Sequence, residues 1–300
     1  MDPTPSGKRS LVLGGGGSTG SAWLIGVIAG LFDAGLFDAG LDVTNADLTI
    51  GTSAGATAAA QIAGASPTEL LAAILAAGPQ QQTGPERGRV PIGRVADHIE
   101  RKRTIIASAE DAADMRRRMG AAALGMDTAS NGSWQTQWRA TVAARLPNQR
   151  WPQRTLLVTA VDAQTGEPVV FDRHSGVDLA DAVAASCASG LPYRIGDNRY
   201  IDGGYRSNEN ADLAAGYGRL LVLSPFGGRT LHPLNWGMQL AAQVDELRAR
   251  GSSVETIFPD SSAEHMFGVN AMDQSLRSPA ARAGYDQGDA LAEQLTECWR

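Results

Sequence analysis

The sequence predicts an α/β fold built on a central, mainly parallel sheet with helices on both faces. Three observations carry this. Short apolar runs alternate with Ala-rich or amphipathic stretches along most of the chain. Two of those runs enter glycine-containing turns that open directly into helical sequence. The run Thr155-Leu156-Leu157-Val158-Thr159-Ala160-Val161 is almost continuously apolar, as a strand covered on both sides must be.

The first strand is expected over 10–13. It runs into Gly14-Gly15-Gly16-Gly17-Ser18-Thr19-Gly20 and then into a helix carrying Trp23, Ile25, Val27, Ile28, Leu31 and Phe32. The second strand, over 47–50, meets Gly51-Thr52-Ser53-Ala54-Gly55 and the Ala-rich segment 54–63, a strand, a tight turn and a helix. Further strands are expected over 155–161, 168–172, 200–201, 219–224 and 254–258, with residues 162–166 turning the chain between two of them. A helix is expected from Asn210.

Residues from about 66 to 148 hold no convincing strand and are helical by composition, interrupted at 78–85 by Gly, Pro and Gln. They read as a mainly helical insertion in a single domain spanning 1–300, because no Pro-rich or Ser-rich linker divides the chain. With 300 residues, 43% hydrophobic and 19% charged, the chain can bury a large core. Its net charge of -6 argues against nucleic-acid binding and against electrostatic adsorption to anionic lipid. Cys187 and Cys298 have no metal-ligand spacing, and no metal or cofactor is expected. Residues 1–8 are polar, and no apolar window approaches the length of a membrane span, so a cytoplasmic location is expected.

Gly51 to Gly55 is the most informative stretch. A serine at the apex of a strand-turn-helix projects its hydroxyl from the sheet, and the flanking glycines are needed where a Cβ would strike the neighbouring strand and helix. The backbone N–H of Ala54 then lies at a helix start, aimed at any negative charge developing beside Ser53. The glycine run at 14–17 similarly lets several N–H groups converge at a helix N-terminus, as a phosphate or a transient oxyanion requires. Gly15, Gly17 and Gly20 also satisfy G-x-G-x-x-G, the dinucleotide pattern. That pattern expects an acidic ribose ligand at the end of the second strand, where this chain has the serine turn instead. Tyr200-Ile201-Asp202-Gly203-Gly204, with Asn208 after it, places a carboxylate at the end of a short strand; by itself this is also an ordinary Asp-Gly turn.

In that order, glycine loop, serine elbow and Asp-Gly-Gly, the chain resembles the patatin-like phospholipase family from about Ser10 to about Tyr217. Gly15-Gly16-Gly17-Ser18-Thr19-Gly20 matches its glycine loop, Gly51 to Gly55 its G-x-S-x-G, and Asp202-Gly203-Gly204 its D-G-G. Residues 182–188 with Leu191-Pro192 look like the helix and loop before the family's aspartate, and Asn208 looks like its asparagine after the turn. The resemblance implies a three-layer patatin-like fold and a serine lipid acyl hydrolase acting on a lipid or ester substrate, with transient contact at a membrane surface. It implies a Ser-Asp dyad, Ser53 as nucleophile and Asp202 as proton acceptor, with an oxyanion hole from the N–H groups of Gly15, Gly16, Gly17 and Ala54. Gly20, Gly51, Gly55, Gly203, Gly204 and Asn208 are implied as support.

Two alternatives stay open. His232 or His265 with Asp202 would complete a Ser-Asp-His esterase, and a catalytically silent interaction module would keep the fold alone. One departure stands out: Thr19 occupies the place of the family's Arg or Lys, which predicts a preference for small neutral esters over phospholipids. Between Pro85 and Arg118 there are nine Arg or Lys and six Asp or Glu. The triplets Arg101-Lys102-Arg103 and Arg116-Arg117-Arg118 there fit either a solvated helical face or a lid meeting lipid headgroups. Trp134, Trp138 and Val142 fit a helix face turned to the core, or a wall of the substrate space.

Overall fold

The computed structural model describes residues 6–35, 42–77, 92–127 and 133–299. The strands are β1 (Ser6–Leu13), β2 (Leu48–Gly51), β3 (Thr155–Asp162), β4 (Pro168–Phe171), β5 (Tyr193–Ile195), β6 (Asn198–Asp202), β7 (Tyr217–Leu223) and β8 (Ser253–Ile257). Among the described residues they form one sheet in the order β5-β6-β3-β2-β1-β7-β8, with β4 also pairing β3. The pairs joining β3, β2, β1, β7 and β8 are parallel, whereas β4, β5 and β6 join antiparallel. The sheet is therefore mixed and mainly parallel, and the apolar run at 155–161 forms an interior strand, β3, flanked by β2 and β6.

Helices cover both faces: α1 (Gly17–Gly35), α2 (Ala54–Ile62), α3 (Pro67–Ala76), α4 (Ile92–Ser108), α5 (Ala112–Asp127), α6 (Ser133–Ala143), α7 (Leu179–Ser186), α8 (Leu240–Ala249) and α9 (Arg277–Trp299). The alternation along β1 shows why two layers are needed. Leu11 and Leu13 enter one core with α1, α2, α3, α7 and α9, while Val12 enters another under α8. A third cluster packs Ile106, Met115 and Met119 from α4 and α5 on Val161 and Ile201 of the sheet. So the segment that runs through α3 to α6 towards β3 holds helices joined by turns and, among the described residues, no strand. The interruption expected at 78–85 lies outside the described residues.

Two expectations are corrected. β5 was not anticipated, because three residues behind Leu191-Pro192 show no period of their own. The helix expected from Asn210 is only a 3₁₀ turn, Ala211–Ala214, because Asn210 itself is left-handed (φ 55°) and its side chain is drawn into the interior. The two tryptophans resolve towards the core. Trp134 meets Tyr193 edge-on, Trp138 Nε1 donates to Ala184 O at 3.1 Å, and Val142 is buried.

The register positions the functional elements. Gly51 at the end of β2 stands opposite Val158, and Asp202 at the end of β6 stands opposite Ala160, two residues further along β3. The chain therefore delivers the residue after β2 and the last residue of β6 to one place on the sheet.

Candidate active site

Ser53 sits where β2 turns into α2, at φ 54° and ψ -116°. Holding a residue with a side chain in that region costs about 1–3 kcal/mol, so its surroundings must fix it there. The close approach of the elbow to the sheet is what its glycines allow. A Cβ on Gly55 would lie 1.9 Å from Leu13 O of β1, and one on Gly51 would lie 2.5 Å from Ala56 Cα of α2. The C-terminal end of α7 straps the strained residue on both sides. Ser53 N–H donates to Ser186 Oγ at 2.8 Å, and Cys187 Sγ donates to Ser53 O at 3.1 Å. Burial pushes the Cys187 thiol up to about 12, which keeps it a protonated donor. The next residue along, Ala188, accepts the N–H of Asp202 at 3.0 Å, so one short segment braces both motifs.

Ser53 Oγ donates to Asp202 Oδ2 at 2.8 Å. The second oxygen, Oδ1, accepts the N–H of Gly204 at 2.8 Å, which is how the Asp-Gly-Gly turn aims the carboxylate. Asp202 is buried, and burial raises its pKa; the Gly204 N–H, the Lys102 charge and the Ser53 hydroxyl oppose that rise. A carboxylate so placed is a better proton acceptor than an exposed one. Neither candidate histidine makes a hydrogen bond to Ser53 or Asp202. The exposed His265 has its Nδ1 2.9 Å from Ser262 O, and His232 Nδ1 has no partner among the described residues.

Behind the pair lies a polar hub that the motifs did not reveal. Asn210 Nδ2 donates to Thr52 Oγ1 at 3.0 Å and to Ser207 O at 2.6 Å, and the Thr52 and Thr159 hydroxyls are 2.9 Å apart. All three side chains are buried. Asn208 braces the glycine loop, its backbone O accepting Gly15 N–H at 3.0 Å and its Nδ2 donating to Gly15 O at 3.2 Å. Its Nδ2 also reaches Glu209 Oε1 at 2.8 Å, which in turn accepts from Ser224 Oγ at 2.7 Å.

That brace corrects the expected oxyanion hole. The Gly15 N–H is committed to Asn208 and is not free to meet an oxyanion, whereas the N–H groups of Gly16, Gly17 and Ala54 have no partner among the described residues. Gly20 N–H, in the first turn of α1, donates to Gly16 O at 3.0 Å, and a Cβ on Gly203 would strike Thr159 Oγ1 at 2.3 Å.

The reading of Thr19 also changes. Thr19 is fully buried, with its N–H donating to Ala271 O at 3.0 Å, so this position does not open onto Ser53. A cation does reach the loop, but from α9: Arg277 Nη1 donates to Ser18 O at 2.9 Å and to Ser18 Oγ at 3.0 Å. Among the described residues no group of His, Cys, Asp and Glu could hold a metal ion, and no helix is long and apolar enough to cross a membrane.

Comparison with known proteins places this geometry in a family. No curated protein sequence matches the chain. Among solved structures it is similar to VipD from Legionella pneumophila, with 15% identity and a TM-score of 0.43, covering 96% of this chain and 67% of that one. It is also similar to the type III effector protein ExoU, with 17% identity and a TM-score of 0.41; 98% of this chain aligns, and it spans only 54% of ExoU. The family model for patatin-like phospholipase matches residues 11–215, from the first strand through the glycine loop, the Ser53 elbow and the Asp202 turn. This chain belongs to the patatin-like phospholipase family.

Proposed function

We propose that the chain is a serine lipid acyl hydrolase that works through a Ser53–Asp202 dyad. The observation that carries this is the 2.8 Å hydrogen bond from Ser53 Oγ to Asp202 Oδ2, made on a strained elbow with no imidazole among the described residues bonded to either group. As an ester carbonyl settles against the glycine loop, Ser53 Oγ forms a bond to its carbon and passes its proton to Asp202. The carbonyl oxygen becomes an oxyanion, and the N–H groups of Gly16, Gly17 and Ala54 are the donors free to receive it. Collapse breaks the bond to the leaving alcohol, which takes the proton from Asp202 and departs, leaving the acyl group on Ser53. Water then gives a proton to Asp202 and attacks the acyl carbon. Release of the fatty acid returns the proton to Ser53 Oγ.

Burial of Asp202 supports this reading. A carboxylate in water is too weak a base for an alcohol; desolvation raises its affinity for the proton, while the Gly204 N–H holds it in line. We take residues 1–300 as one α/β domain, with the helical segment at 66–148 as its insertion. Labelling with a fluorophosphonate, followed by turnover of a panel of nitrophenyl esters and phospholipids, tests the function. Label on Ser53 and loss of turnover in Ser53→Ala are expected; label on another serine, or turnover that survives Ser53→Ala, would contradict it.

A further inference from the structure

Asn208 is committed at one end of its side-chain amide and uncommitted at the other. Its Nδ2 donates to Gly15 O at 3.2 Å and to Glu209 Oε1 at 2.8 Å, which engages both of its hydrogens. A peptide carbonyl can only accept, so the nitrogen must face Gly15 O and the amide cannot be turned over. Ser224 Oγ donates to the same Glu209 oxygen at 2.7 Å, so that oxygen accepts from both neighbours. Asn208 Oδ1, by contrast, accepts from no donor among the described residues.

The two ends look in different directions. A Cβ built on Gly14 would lie 3.4 Å from Asn208 Nδ2 and 3.3 Å from Glu209 Cγ, behind the glycine loop. One built on Gly15 would lie 2.7 Å from Asn208 Oδ1 and 3.5 Å from Ser53 Cβ, so the amide oxygen and the nucleophile border the same face of Gly15. One built on Gly204 would lie 3.0 Å from Asp202 Oδ1 and 3.9 Å from Asn208 Oδ1. The oxygen therefore stands between the glycine loop and the Asp202 turn, on the side of both reacting residues, and a side chain at position 15 would collide with it. Asn208 is half-buried, and an amide oxygen in such a setting needs a donor.

The reaction brings two kinds of O–H to this place. The leaving alcohol and the attacking water both exchange a proton with Asp202, but the alcohol carries carbon where the water carries a second hydrogen. Once the acyl group closes the site, leaving that hydrogen without an acceptor is costly.

We propose that Asn208 Oδ1 accepts the second hydrogen of the hydrolytic water, and so selects water over alcohols as the acceptor of the acyl group on Ser53. This rests on the Ser53–Asp202 hydrolase reading and adds the choice of acceptor to it. The water oxygen forms its bond to the acyl carbon as one of its protons passes to Asp202. The bond from that carbon to Ser53 Oγ then breaks, and Oγ takes the proton from Asp202. The second hydrogen is not transferred: it stays on its oxygen, bonded to Oδ1, and leaves as the O–H of the carboxylic acid. An alcohol attacking from the same place gives its one proton to Asp202 and turns an alkyl carbon towards Oδ1, with no bond to make there.

The test is competition between water and methanol for the acyl-enzyme formed from nitrophenyl butyrate, read as the ratio of methyl butyrate to butyrate. Both products arise from one acyl-enzyme and one oxyanion hole. The ratio is therefore blind to loosening of the glycine loop, which is all that a purely structural role would produce, and to the fraction of protein that is folded. Asn208→Ala should raise the ratio roughly tenfold, because the cost of an O–H left without an acceptor falls on water alone. Asn208→Leu, which fills the volume of the amide, should do the same and serves if alanine leaves the loop too loose to fold. Asn208→Asp keeps an oxygen towards Ser53 and should hold the ratio within about twofold of the wild type even as its rate falls. A ratio unchanged or lowered in the alanine and leucine variants overturns the proposal and leaves Asn208 as a brace alone. Nitrophenol release that persists in Ser53→Ala is a different failure, that of the hydrolase reading itself.

Discussion

The side-chain amide of Asn210 donates to the Thr52 hydroxyl at 3.0 Å, tying the segment that follows the Asp202 turn to the residue just before Ser53. The two residues are 158 positions apart in sequence, and both are fully buried. Their contact fixes the distance between the two motifs from behind, while Ser186, Cys187 and Ala188 fix it from the side.

Asn210→Ala is therefore expected to lower stability by about 2–4 kcal/mol, from unpaired buried groups and an alanine forced to positive φ. Turnover should fall as well, since Ser53 and Asp202 lose their common brace. Asn210→Gly should recover only the backbone part, about 1 kcal/mol. Denaturant unfolding with parallel ester kinetics checks this; a loss below about 1 kcal/mol with unchanged kcat would remove the hub from the account.

Glu209 gives a pH signature. It is 2% exposed, and burial raises its pKa although Asn208 and Ser224 donate to it. A carboxyl raised in the folded state favours folding at low pH, and that contribution is lost as pH rises through its folded pKa. Glu209→Gln cannot ionise. Its Tm relative to wild type should become more positive between about pH 5 and pH 8, and a difference flat in pH would contradict the assignment.

Thr19→Arg should destabilise the protein rather than redirect it. The side chain is enclosed against Ala271, so an arginine must displace the loop or bury its charge, at a cost of about 2 kcal/mol or more. A lowered Tm with an unchanged ratio of phospholipid to neutral-ester turnover is expected. A stable variant with a shifted ratio would return position 19 to the substrate.

Much of the fold was legible because β1, β2, β3 and β7 are apolar runs closed by glycine or by polar turns, and such runs need no distant partner to be recognised. The Ser53 and Asp202 motifs were legible for the same reason: each is a local turn with its own glycines. What failed was whatever depends on a distant residue. Which glycine N–H groups stay free is decided by Asn208, 193 positions from Gly15. The cation at the glycine loop comes from Arg277, at 259 positions from Ser18, and Lys102 reads as one more residue in a solvated run until Tyr205 is seen beneath it. Asn210 misled in the opposite direction, since the alanines after it favour helix while its own side chain is drawn to Thr52.

The central claim is that Ser53 and Asp202 act as one unit, and kcat/KM on a neutral nitrophenyl ester for Ser53→Ala, Asp202→Asn and the double variant tests it most directly. Each single variant should lose about 10³-fold or more at unchanged circular dichroism, and the double variant should be no worse than either, because removing one member already disables the other. Asp202→Asn that keeps more than about a tenth of wild-type activity, or losses that multiply in the double variant, would contradict the dyad.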